Sequence, residues 1–187
     1  MVVNNIEIFL SHKYKLEKTN MSTMLKEERE LIFDDLIKYY RFCKRDRRNH
    51  IFNAIYALKK NRKNGASKEE LDRIEKLFQE AKNSYGYYGR MLSVALLLKL
   101  RLNDFVTEKE KEQALVDLIS HYDWRVKTCS YHIQCLERRL NECCEDENSQ
   151  DIQEIEVLLA SDLKESDEYV KKMDLARRFK NEIIKTA

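Results

Sequence analysis

No proline occurs anywhere in this 187-residue chain, and its only glycines are Gly65, Gly86 and Gly89. Tight turns and sheet edges draw on both residue types, whereas a helix interior excludes proline and tolerates glycine at a cost of about 1 kcal/mol. A chain so poor in both has few places to change direction. It therefore predicts an all-α fold made of long helices. Charged residues reach 36%, yet the 10 Tyr, 7 Phe and many Leu and Ile supply apolar surface that a disordered chain lacks.

Periodicity divides the chain further. Leu25, Ile32, Leu36, Ile37 and Tyr40 recur at helical spacing and predict a helix over about 22–44. Ile51, Ile55 and Leu58 predict a second over about 47–62, stopped by Asn64-Gly65. Ser67 with Glu70 reads as a capping box. After it Leu71, Ile74, Phe78, Ala81, Tyr85, Tyr88, Leu92 and Ala95 form a heptad seam that runs through Gly86 and Gly89. Met91 to Leu100 is apolar nearly all round, which predicts burial on every side. Asn103 to Val106 reads as a connection and Thr107 with Glu110 as a second capping box. A second seam then runs Leu115, Ile119, Tyr122, Val126, Cys129, Ile133, Leu136, Leu140, Cys143.

Two long helices joined by a few residues turn back on each other. The expectation is thus a helical bundle of about five to six helices around a long antiparallel hairpin of 68–103 and 108–144. The flanking helices would cover the hairpin, with a short helix after Ser149 and another opened by Ser166-Asp167-Glu168. The whole, 1–187, reads as a single α-helical domain with an N-terminal arm at 1–20 that is strand-like or weakly helical.

No basic stretch followed by a long apolar run opens the chain, and its most apolar segment is too short to span a bilayer. Five cysteines, four of them on one predicted helix, read as reduced thiols, so the expected compartment is cytoplasmic.

The net charge of +2 hides two opposite regions. Between 41 and 63 stand Arg41, Lys44, Arg45, Arg47, Arg48, Lys59, Lys60, Arg62 and Lys63 against one acid, Asp46. Between 142 and 168 stand eleven acids against Lys164 alone. A basic helix–turn–helix of this density suits a phosphate backbone, with Tyr39, Tyr40, Phe42, Phe52 and Tyr56 nearby for stacking. It equally suits an acidic protein partner or the acidic region itself, within the molecule or between copies. Most of those aromatics fall near expected core positions.

Candidate chemistry is sparse. Arg45 and His50, in Arg45-Asp46-Arg47-Arg48-Asn49-His50, resemble the R-x4-6-H motif of HEPN ribonucleases, all-α proteins that cut RNA without metal. The resemblance covers about eight residues; it implies a histidine that handles protons and an arginine that supports charge on the transition state. Phe52 stands where one variant of that motif has tyrosine, and the same spacing recurs at Arg125 and His132. Cys129, His132 and Cys135 lie at three-residue steps on one helix, which spreads them about 9 Å along its axis. One zinc ion does not reach all three without unwinding, so they read as core packing. No histidine has Glu three residues before it, and no glycine-rich phosphate loop or nucleophile elbow is present. No metal, cofactor or membrane contact is expected. Tyr85-Gly86-Tyr87-Tyr88-Gly89 is the most unusual local stretch, and Tyr87 and Tyr88 would suit a partner surface if exposed.

The reading that follows is a non-catalytic helical interaction or adaptor protein. It would bind a protein partner or a nucleic-acid backbone through segment 41–63. The alternatives are a HEPN-type ribonuclease using Arg45 and His50, and a self-assembling helical protein.

Overall fold

The computed structural model describes residues 24–145 and 149–185; the expected arm at 1–20 lies outside them. Among the described residues there are four α-helices and no strand. They are α1 (Lys26–Lys63), α2 (Lys68–Lys99), α3 (Glu108–Glu145) and α4 (Ser149–Lys185), with one 3₁₀ turn at Asn103–Phe105. The all-α bundle is as expected, but four helices replace five or six.

The two missing breaks have one cause. The polar run Lys44–Arg48 contains no glycine and no proline, and Lys and Arg are good helix formers, so α1 passes straight through it. The basic segment 41–63 is therefore the second half of one helix and not a helix–turn–helix. Ser166-Asp167 likewise has capping chemistry but nothing before it that stops a helix, and α4 runs on. Both polar stretches mark where a helix leaves the most crowded part of the core.

The pairing also differs from the expected hairpin. Packing is concentrated between α1 and α2 and between α3 and α4, and each pair is antiparallel. Helices α2 and α3 meet only slightly, near their shared end. The seam of α2 thus faces α1, and the seam of α3 faces α4. The reason lies in the connections. Residues 64–67 are few enough to fold α1 and α2 back on each other, whereas the link from Leu100 to Thr107 redirects the chain.

Helix ends explain that link. Helix α1 closes with Gly65 at φ 72°, where Ala66 N–H donates to the Asn61 carbonyl and Gly65 N–H to that of Arg62. This is a Schellman end, for which glycine is the usual residue. Helix α2 ends the same way, with Leu102 N–H on Leu97 and Arg101 N–H on Leu98. Here Arg101 takes the left-handed position, at φ 60°. The helix stops at Lys99 rather than at 103. At the starts, Glu70 N–H donates to Ser67 Oγ, and Thr107 and Glu110 form a full reciprocal box.

The main core joins the open halves of the two hairpins. It contains Ile32, Leu36 and Tyr40 of α1, Met91, Val94, Ala95 and Leu98 of α2, Leu115, Leu118 and Tyr122 of α3, and Met173, Ala176 and Phe179 of α4. Met91–Leu100 is central but not enclosed, since Leu96 and Leu100 are exposed. Toward the two tips burial falls away. Only Ala81, Cys129 and Ile155 are buried there among the described residues.

The two kinds of glycine give a paired prediction. Gly65→Ala forces a Cβ into a left-handed conformation and should cost about 1 kcal/mol. Gly86 sits mid-helix with nothing near an added Cβ, so Gly86→Ala should stabilise by about 1 kcal/mol. Urea denaturation of the two variants should move the midpoint in opposite directions.

Candidate partner interface

Helix α1 carries the basic segment, and helical geometry decides what each residue faces. At about 100° per residue, Arg41, Phe42, Arg45, Arg48, Phe52, Tyr56, Lys59, Lys60 and Lys63 fall within an arc of about 120°. That arc points away from α2. All of these side chains are exposed, and the rings are more than half so: Phe42 57%, Phe52 57% and Tyr56 69%. The guanidinium of Arg45 lies over the Phe42 ring at 6.0 Å and that of Arg48 over Phe52 at 5.7 Å. Basic and aromatic side chains thus alternate along one stripe. Sequence reasoning placed these rings near the core because it assumed a break near residue 45; with α1 continuous, the same spacing turns them outward.

The remaining basic residues of the segment are used inside the chain. Lys44 lies beside Gly89 and over the Tyr85 ring at 5.2 Å. Arg47 faces Asp46 at 3.6 Å and Arg62 faces Glu75 at 3.7 Å. On the outward stripe, Arg41, Arg45, Arg48, Lys59, Lys60 and Lys63 have no carboxylate within ion-pairing distance among the described residues. Among the described residues the acidic region therefore does not answer this stripe within the molecule.

The pair singled out for RNA cleavage does not converge. Five residues of helix separate Arg45 and His50 by about 140° around the axis. His50 is exposed and its Nε2 stands 3.5 Å from Asp46. The second match is divided in the same manner. Arg125 is tied to Glu165 and stacks on Tyr169 at 5.0 Å, while His132 is exposed. Cys43, Cys129, Cys135 and Cys143 are free thiols, Cys129 buried in the seam of α3. No group of three or more His, Cys, Asp or Glu among the described residues is arranged to hold a metal ion. No helix there is long and apolar enough to cross a membrane.

The strongest electrostatic perturbations lie elsewhere, at the junction of the hairpins. Tyr122 donates to Asp35 Oδ2 at 2.7 Å, and Lys172 meets the same oxygen at 2.9 Å. Tyr40 and Tyr87 both donate to Asp117 Oδ2, at 3.0 and 2.6 Å. Burial, together with these carboxylates, pushes the Tyr40, Tyr122 and Tyr87 phenols far above their ordinary range. Tyr88 packs against the core and lies 6.4 Å from the Tyr40 ring. Tyr87 and Tyr88, named from the sequence as partner-facing, make these contacts within the chain, while Tyr87 remains 40% exposed. Perturbed groups often mark an active site, but here each hydroxyl is committed to a carboxylate that ties helices together.

Compared with protein-family models, curated proteins and solved structures, the chain matches none of them.

His121 gives the junction a pH signature. It lies against Tyr39 at 4.8 Å and stacks near Trp124 at 6.1 Å. Burial first, then the charge of Arg125, hold its imidazole below the ordinary value of 6.5; Asp35 pulls the other way, and Lys172 adds the smallest downward push. The folded state keeps His121 neutral, so the unfolded chain binds the proton first as pH falls. Stability should therefore decline as pH drops below 6.5, until the folded-state value is reached. His121→Gln should flatten that decline in denaturation curves taken at successive pH values. An unchanged slope would show that other groups carry it.

Proposed function

We propose that this chain is a non-catalytic helical interaction protein that docks a negatively charged partner on the outward stripe of α1. One observation carries the reading. Unpaired cations and exposed rings alternate along a single helical face, while the other basic residues of the segment are engaged inside the chain.

The stripe carries two costs. Cations close together on one face repel one another, and exposed rings leave apolar area in water. An isolated helix surface gains nothing from either. A partner with acidic groups and apolar or stacking surface relieves both. Electrostatic attraction would speed the encounter, and burial of Phe42, Phe52 and Tyr56 would slow dissociation.

Two anionic probes distinguish the chemistry of the partner: single-stranded RNA and poly-L-glutamate, each labelled and followed by fluorescence anisotropy at low salt. The wild-type chain should bind at least one. Arg45→Glu with Arg48→Glu and Lys60→Glu should weaken that binding about tenfold or more. If RNA is the better ligand, Phe52→Ala with Tyr56→Ala should cost about 1–3 kcal/mol for each lost stacking contact. A wild-type chain that binds neither probe and stays monomeric would overturn the reading.

A further inference from the structure

The acidic region of the sequence, like the basic one, belongs to the thinly covered half of a hairpin. Beyond the junction, the first hairpin continues as 41–63 against 68–85 and the second as 123–145 against 149–168. The two extensions are of similar length, about 35 Å by helix rise. Among the described residues each is only two helices thick. A pair of helices has a single seam, and its other faces meet water.

On the second extension, α4 repeats the design of the α1 stripe with the charge inverted. Glu154, Val157, Leu158, Ser161 and Glu168 fall within an arc of about 100° on one flank of the helix. All five are exposed, Val157 at 69% and Leu158 at 50%. Glu154 and Glu168 have no basic group within ion-pairing distance among the described residues. The acidic flank thus alternates charge with apolar surface, as the basic stripe does.

Resting on the reading above, we infer that the anionic partner is a second copy of this chain. The basic, aromatic stripe of α1 in one copy docks on the acidic, apolar flank of α4 in the other. Several observations favour this occupant. The two surfaces lie on extensions of similar length, carry opposite charge and both present apolar side chains, and among the described residues neither is neutralised within its own chain. A net charge of only +2 gives copies no long-range repulsion, while the separated charges attract. Docking would also turn two half-covered pairs of helices into a four-helix layer, the arrangement that the junction already has. Nucleic acid would satisfy the basic stripe but would leave Val157 and Leu158 exposed. Because each copy offers both surfaces, a closed dimer makes the contact twice and an open arrangement propagates it.

The test is the mass of the full-length chain by sedimentation velocity and light scattering, over a wide concentration range at low and high salt. The wild type should associate as concentration rises and dissociate with added salt. Arg45→Glu with Arg48→Glu and Lys60→Glu should be monomeric, and so should Glu154→Lys with Glu168→Lys. Circular dichroism verifies that both variants are folded. An equimolar mixture of the two should regain association, because each now offers the charge that the other lacks, and no loss of folding produces such rescue. A wild-type monomer at every concentration overturns the inference, as does an oligomer that neither set of reversals disturbs. A wild-type monomer that still binds RNA or poly-L-glutamate sinks only the identity of the partner. One that binds neither sinks the reading beneath it as well.

Discussion

A single carboxylate, Asp35, ties three of the four helices together. It is buried on α1, receives the Tyr122 hydroxyl from α3 and faces the Lys172 ammonium of α4. A charge taken out of water is tolerated only when its partners are in place; removal of one partner typically costs about 3–5 kcal/mol. Apolar side chains around it can slide to neighbouring positions with modest loss, but Asp35 cannot. The carboxylate therefore fixes where the first hairpin crosses the second. From that point α1 reaches α4 through Glu28, Arg29 and Phe33 and α3 through Tyr39 and Tyr40. Asp117 repeats the device, collecting Tyr40 and Tyr87. The crossing limits the shared core to the open halves and, among the described residues, leaves the other halves with only one neighbour each.

Much of the fold was legible because its signals are local. The lack of proline, the two capping sites at Ser67 and Thr107 and both heptad seams translate directly into helices. What failed was pairing. A seam reports that a face is apolar and says nothing about which helix will cover it. Seams in α2 and α3 were equally good partners for each other and for the outer helices. The deciding feature was the link between them, where Arg101 adopts the left-handed position that glycine normally announces. The false breaks near residues 45 and 166 have a related origin. Polar runs were taken for loops, yet a helix that leaves a core needs only one apolar face and no interruption.

The candidate interface was half legible. The excess of cations between 41 and 63 needs only counting, and no fold is required to see it. The rings beside them were hidden by the false break. With the helix continued across residue 45, positions 42, 45, 52 and 56 fall on one face at once. The acidic flank of α4 was harder, because Asp162 and Ser166 stand where the apolar seam of that helix would continue. Polar residues in a seam disguise which side faces inward. Only the contact of α4 with α3 settles it.

The arrangement also sets an order of assembly. Each hairpin unites segments that are neighbours in the chain, so its contacts close short loops and should form early. The junction brings Asp35 to Tyr122 and Lys172, and Met24 to Glu182, across most of the sequence. That closure carries the larger entropic cost and should come last. The chain would then pass through a state of two formed hairpins, linked by residues 100–107 but not yet crossed. In that state the Asp35 carboxylate stays hydrated and costs nothing. The buried charge that aligns the finished molecule thus adds its desolvation to the cost of the closing step.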